Sequence, residues 1–172
     1  MRILKLLFIS VVLLFLAVTI ISLFIPSSVR ISRAVNTYKS AQDVWTYIDD
    51  MRDWQKWNPF FSGDQTRRIQ YLDSSAGVPQ GMKLDETIIR WQEKKADERI
   101  TTMEKQGFPK IINGVKCIHH PQSDSTTIQW YMDFKLRWYP WEKFASMMFE
   151  KSYGVRMEQG LADLKKLVES NH

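Results

Sequence analysis

The apolar positions of this chain follow three different periods, and each change of period marks a change of element. From Leu6 to Ile25 every residue except Ser10, Thr19 and Ser22 is apolar, and none is charged. A helix built from that run has no polar face, unlike the amphipathic helices of soluble domains. Its length at 1.5 Å per residue comes to ~30 Å, the hydrocarbon thickness of a bilayer. A secretory leader has an apolar core of only ~7–15 residues and then a small-residue cleavage pattern. Here the run is longer and ends Leu23-Phe24-Ile25-Pro26. The pattern therefore predicts an uncleaved transmembrane anchor over residues 1–26, stopped by Pro26, and a separate domain over residues 27–172.

The period then becomes two. Val29, Ile31 and Val35 alternate along a first strand. Ser40 follows as an N-cap with Asp43 three residues on, an acidic version of the capping box. Val44, Tyr47, Ile48 and Met51 share one face of the helix it opens. A second helical turn carries Trp54 and Trp57 and stops at Asn58-Pro59, since the residue before proline avoids the helical region. Period two resumes over Arg67–Leu72, Met82–Trp91, Asp97–Met103, Lys110–His119 and Thr126–Arg137. In the last of these, Ile128, Trp130, Met132, Phe134 and Leu136 share one face, and Thr127, Gln129, Tyr131, Asp133 and Lys135 share the other. One dry face and one wet face point to an antiparallel sheet.

Pro140 opens the final element at its first turn. From Trp141 to about Glu169 the period is helical, with Phe144, Met148, Met157, Leu161, Leu164 and Val168 recurring near 3.6 residues. The predicted order is one strand, two short helices, five or six antiparallel strands and one long C-terminal helix. That is an α+β fold, a curved antiparallel sheet wrapped on one helix, with a ligand cavity expected between the two.

Composition changes the picture in two places. The mean hydropathy of −0.32 averages an anchor with a water-soluble remainder. All seven Trp and all six Tyr lie after Ile25, so the remainder has the aromatic content of a folded core. The net charge of +5 includes Arg2 and Lys5 before the apolar run, leaving +3, evenly mixed, on the domain. That charge excludes a nucleic-acid partner as the leading reading. Arg2 and Lys5 favour a cytoplasmic N-terminus and an extracytoplasmic domain, a single-pass arrangement in the cell membrane, although Arg30, Arg33 and Lys39 nearly balance the count. A single cysteine, Cys117, allows no internal disulfide.

Two stretches carry a family resemblance. The first runs through Ser40-Ala41-Gln42-Asp43-Val44-Trp45, Tyr47-Ile48-Asp49-Asp50 and Trp54-Gln55-Lys56-Trp57-Asn58-Pro59. The second is Met157-Glu158-Gln159-Gly160-Leu161-Ala162-Asp163-Leu164-Lys165-Lys166-Leu167. Together they resemble the opening and the closing helix of the START/Bet v 1-like (SRPBCC) superfamily, also described as polyketide cyclase/dehydrase-like. With its N-terminal anchor the chain is similar to a membrane-attached bacterial subgroup. The resemblance spans residues 28–170 and implies a helix-grip fold with a hydrophobic cavity. Its members bind lipids or other apolar molecules, some catalyse cyclisation or dehydration, and some assist partner proteins. It implies no shared catalytic set and no cofactor.

Candidate residues follow from the pattern. Trp130, Met132 and Phe134 on the last strand, with Phe144, Met147 and Met148 on the last helix, are the candidate ligand-binding wall, weighed against plain core packing. Trp54 and Trp57 read as pins for the short helices rather than guards of a cavity mouth. Glu86 and Arg90 fall on the predicted strand face of Met82, Leu84 and Ile88. Turned inward, Glu86 would act as a general acid or base, and it is the catalytic candidate of the enzyme alternative. Cys117, His119 and His120 lack the converging ligands a zinc site needs, so no metal is assigned. The adjacent carboxylates Asp49 and Asp50 do not face each other on a helix, and no GxSxG, P-loop, GxGxxG or HExxH motif occurs. The leading reading is a non-enzymatic, membrane-anchored binder of a lipid or hydrophobic small molecule. The alternatives are a cyclase or dehydratase, and an interaction module of a membrane or stress-response complex.

Overall fold

In the computed structural model, residues 2–62 and 68–170 are described. Arg67, where a strand was expected to begin, and the terminal His172 lie outside them. Helix α1 covers Arg2–Leu23, and its most apolar 18 residues have a mean hydropathy of 3.0. Its side chains stand exposed along most of the length, and only the last turns are covered: Val18 and Thr19 partly, Ser22 wholly.

Strand β1 (Ser28–Thr37) leads to α2 (Ala41–Ile48). The capping box is present: Asp43 N donates to Ser40 Oγ at 3.2 Å, and Ser40 N donates to Asp43 Oδ2 at 3.1 Å. A 3-10 turn, Met51–Asp53, capped by the Asp50 side chain, precedes α3 (Trp54–Trp57). Trp54 and Trp57 act as pins: their indole N–H groups donate to the carbonyls of Ile48 at 2.8 Å and Tyr47 at 3.2 Å. Those bonds satisfy carbonyls that the end of α2 leaves open.

Six further strands follow: β2 (Ile69–Ser75), β3 (Val78–Leu84), β4 (Thr87–Lys94), β5 (Glu98–Lys105), β6 (Ile111–His120) and β7 (Ser125–Lys135). With β1 they form one antiparallel sheet in the order β1-β7-β6-β5-β4-β3-β2. β1 runs the full length of β7, from Ser28 opposite Lys135 to Thr37 opposite Thr126. That register puts Val29, Ile31 and Val35 opposite Phe134, Met132 and Ile128, which places both alternating stripes on the inner face.

The expected strand Met82–Trp91 is two strands. Leu84 pairs with Thr87, so Asp85 and Glu86 form a two-residue hairpin, with Asp85 at φ +53°. The turn reverses the parity of the inner face: Met82 is buried on β3 and Ile89 opposite it on β4. Glu86 therefore sits at a hairpin tip, not on an inward strand face. Its side chain is 78% exposed and lies 3.4 Å from Lys105 Nζ. Arg90 likewise points out, to Asp73 at 2.8 Å.

The long C-terminal helix is also divided. Helix α4 covers Pro140–Ser146, a wide π turn spans Glu150–Gly154, and α5 runs Val155–Ser170. At the junction Met147 and Met148 bond back only three residues, to Phe144 and Ala145. Met148 also stands nine residues, about two and a half turns, before Met157, so the two face opposite ways. Met157, Leu161, Leu164 and Val168 are buried against the sheet, whereas Phe144 and Met148 are exposed. Gly160 lets α5 approach closely, because a Cβ there would stand 2.8 Å from both Pro59 Cδ and Trp130 Cζ3. The core lies between the inner sheet face, α2, α3 and α5, centred on Ile31, Ile48, Ile128, Trp130, Met157 and Leu164.

Candidate functional site

The inner face of β7 is closed over most of its length and opens at one end. Ile128, Trp130 and Met132 lie under α5 and are almost fully buried. The Trp130 indole N–H donates to Asn113 Oδ1 at 2.5 Å, and Asn113 Nδ2 donates to Thr101 Oγ1 at 3.1 Å. This buried polar chain on β5 and β6 has its partners within the sheet, as buried polar groups require. Nearer the end of the strand, Phe134 meets Phe149 and Tyr153 with ring centres 4.8 Å apart in each case. Phe149 and Tyr153 flank and enter the π turn, four residues apart, so both reach the sheet. On the other side of that turn Arg33 of β1 binds Glu158 at 2.5 Å and also binds Glu150. Gly154 lies directly under its guanidinium, in a space that a Cβ would fill.

Beyond Phe134 the sheet is covered by α4 instead of α5, and the two do not meet. The space between them is a cavity of about 470 Å³. Its walls are Ile111, Phe134 and Leu136 from the sheet, Phe108 and Pro109 from the β5–β6 loop, and Trp141, Ala145, Phe149 and Tyr153 from the helical side. A few polar groups in a mainly apolar wall are the usual make-up of a small-molecule site. The charged ones here are Lys135, Arg137 and Glu142, and the last two hold each other. Arg137 Nε donates to Glu142 Oε1 at 2.7 Å and Arg137 N to Oε2 at 2.9 Å, while Arg137 Nη2 donates to Gly107 O at 3.0 Å. The pair thus ties the loop, the end of β7 and α4 together at one edge of the cavity. Its hydrogen bonds hold the Glu142 carboxyl below the usual glutamate range and raise the Arg137 guanidinium.

Of the six residues expected to line a site, Phe134 lines the cavity. Trp130 and Met132 belong to the packed core beside it. Phe144, Met147 and Met148 lie on the outer side of α4 and the junction after it, exposed. The wall that sequence reasoning missed had uneven signals. Leu136 continues the β7 alternation, and Phe149 and Tyr153 have helical spacing. Phe108 sits in a Gly-Phe-Pro loop, where no periodicity exists to assign it. Cys117 is buried, and burial pushes its thiol up to about 12. His119 and His120 are exposed. Among the described residues no three His, Cys, Asp or Glu side chains converge on a metal-sized site.

The remaining face of α4 joins the cavity to α1. Lys143 is buried, and its Nζ donates to Ile25 O at 2.7 Å and Ser27 Oγ at 2.8 Å. A lysine there answers carbonyls left open past the end of α1.

Comparison with known proteins agrees with this architecture. The family described as "Polyketide cyclase / dehydrase and lipid transport" matches residues 28–169. No curated protein matches the chain. Among solved structures, a START superfamily protein from Mycobacterium smegmatis superposes with a TM-score of 0.62 at 21% identity, over 83% of this chain and 99% of that one. The Zhui aromatase/cyclase from Streptomyces sp. R1128 gives 0.60 at 14% identity, over 83% and 94%. A Thermobifida fusca protein gives 0.58 at 18% identity, over 86% and 97%. At these identities the likeness is one of fold.

Proposed function

This chain belongs to the polyketide cyclase/dehydrase and lipid transport family, and from that premise we propose that it is a membrane-anchored domain that binds a lipid or hydrophobic small molecule. The observation that carries the reading is the apolar cavity of about 470 Å³ between the end of the sheet and α4. A filled interaction module would leave less than the ~300 Å³ at which ligand pockets begin. Phe134, Phe149 and Tyr153 form the inner wall, and Trp141 and Ala145 form the side nearest α1. Of the three charged groups in this wall, Arg137 and Glu142 are engaged with each other, and Lys135 is the third.

Helix α1 supplies the anchor and residues 27–172 the binding domain. Its length and uniform apolar surface suit a single crossing. Arg2 and Lys5 on the cytoplasmic side would leave the domain outside the cytoplasm. A cytoplasm-only reporter fused to the C-terminus should be silent, and an active one would reverse this orientation.

Binding is tested on the full chain in lipid nanodiscs with a fluorescent fatty acid as probe, alongside native mass spectrometry for co-purifying apolar molecules. Ala145→Trp puts an indole into the cavity from a position that is otherwise exposed. It should abolish saturable probe uptake while leaving the unfolding midpoint unchanged. Equal uptake by the variant and the parent would overturn the cavity as the binding site.

A further inference from the structure

We propose that the outer face of α4 is a membrane-docking surface, set into the same bilayer leaflet that α1 leaves, so that the cavity takes its ligand directly from the lipid phase. The proposal rests on reading α1 as a membrane span, and adds to it a second, peripheral contact with lipid.

The placement follows from how α1 ends. Helix α4 packs against the last turns of α1, where Val18 and Thr19 are partly covered and Ser22 is buried. Lys143 fixes the junction by its bond to Ile25 O. Val18 and Leu23 are ~8 Å apart along the axis of α1, and Ile25 follows two residues on. An apolar run ending at Ile25 that fills the hydrocarbon layer therefore puts α4 at or just inside the edge of that layer. Interfacial amphipathic helices lie at that depth, ~5–10 Å into the headgroup and acyl boundary.

The surface chemistry matches the placement. Phe144, Met147 and Met148 turn away from both the cavity and the core, and the two methionines are 69% and 58% exposed. At the N-terminal end of α4 the chain reads Trp138-Tyr139-Pro140-Trp141. Trp138 and Trp141 are more than half exposed, and Trp141 stacks on Tyr139 at 4.8 Å. Tryptophan and tyrosine concentrate where a membrane meets water. Five exposed large apolar side chains within the eleven residues 138–148 are unusual on a soluble surface and mark an interaction site. The nearby acidic groups are already neutralised: Glu142 by Arg137 and Glu150 by Arg33. Trp141 belongs to both surfaces, since it also lines the cavity. A ligand moving past it goes from lipid to protein without crossing water.

The test uses the full chain in phosphatidylethanolamine/phosphatidylglycerol vesicles with single spin labels. The labelled sites are Leu13→Cys in α1, Met147→Cys on the proposed surface, and Gln122→Cys in the β6–β7 turn. The last adjoins the far end of β7, whose ends Ser125 and Lys135 are ~34 Å apart for a ten-interval strand. Native Cys117 is buried with its thiol pushed up to about 12, so it stays unlabelled at neutral pH. Collision with oxygen relative to a water-soluble nickel chelate reports immersion in lipid. Leu13 and Met147 should both show ratios several-fold above Gln122. A lipid-like Leu13 with a Met147 as wet as Gln122 would overturn the docking surface, leave the anchor standing and point to a protein partner for this face. A water-like Leu13 would overturn the anchor, and the docking surface with it.

Discussion

Gly160 offers a direct test of how closely α5 is held to the sheet. In Gly160→Ala the new Cβ would stand 2.8 Å from Pro59 Cδ and from Trp130 Cζ3, and 3.3 Å from Trp57 O. Neither near neighbour yields easily. Pro59 is part of a ring, and Trp130 is 1% exposed with its indole nitrogen held by Asn113 at 2.5 Å. Relieving such overpacking costs about 1–3 kcal/mol. The substitution also adds a better helix former in α5, a gain of about 1 kcal/mol. The clash wins on balance, by up to about 2 kcal/mol of lost stability. Urea unfolding of the full chain in detergent micelles, followed by tryptophan fluorescence, measures the difference. The same substitution in a Trp130→Leu background, where the opposing ring is gone, should cost less than in the parent, giving a measurable coupling between the two sites. Parent-like or higher stability in Gly160→Ala would refute the close approach and leave helix propensity as the only force at this position.

Two further predictions concern the buried polar chain and the cavity edge. Trp130→Phe keeps the aromatic body but leaves Asn113 Oδ1 without its donor, and should destabilise by about 1–3 kcal/mol in the same urea assay. Trp130→Phe with Asn113→Leu should recover part of that loss. The Glu142 carboxyl is held below its ordinary value of 4.5, chiefly by its hydrogen bond to Arg137. Its contribution to holding the cavity edge is therefore present above that ordinary value and is lost as pH falls through the lowered one. Stopped-flow uptake of the fatty-acid probe should accelerate on acidification through that window, and Glu142→Gln should be fast and flat across it.

Local patterns carried much of the fold, and the departures have specific physical causes. The Ser40–Asp43 cap and the alternation from Ile128 to Leu136 involve residues adjacent in sequence that answer one steric or burial requirement each, so they could be read directly. The Asp85-Glu86 hairpin could not, because it lacks the glycine that usually announces a two-residue turn. Asp85 takes positive φ on its own, a conformation aspartate tolerates better than most residues. Missing that turn moved Glu86 and Arg90 to the wrong face, since a change of parity inverts every side chain after it. Of the cavity wall, Phe134 and Leu136 were legible in the β7 alternation; the other members come from a loop, a strand end and two helical segments that no single period connects.

Phe144, Met147 and Met148 failed for a different reason, and it bears on function. Periodic apolar residues are assigned to a core on the assumption that water is the only alternative. That assumption holds for Met157, Leu161 and Leu164, which are buried; under the membrane docking proposed above it does not hold for the turns that pack beside α1. Next to a helix that is itself apolar on every side, lipid is a third environment, and apolar side chains gain as much there as in a core. Met148 lies nine residues before Met157, about two and a half turns at 3.6 residues per turn, so it faces away from the buried set even on an unbroken helix. In a water-soluble relative of this fold that placement would expose them at a cost. Here α5 grips the sheet and α4 packs beside α1, with the cavity between α4 and the end of the sheet.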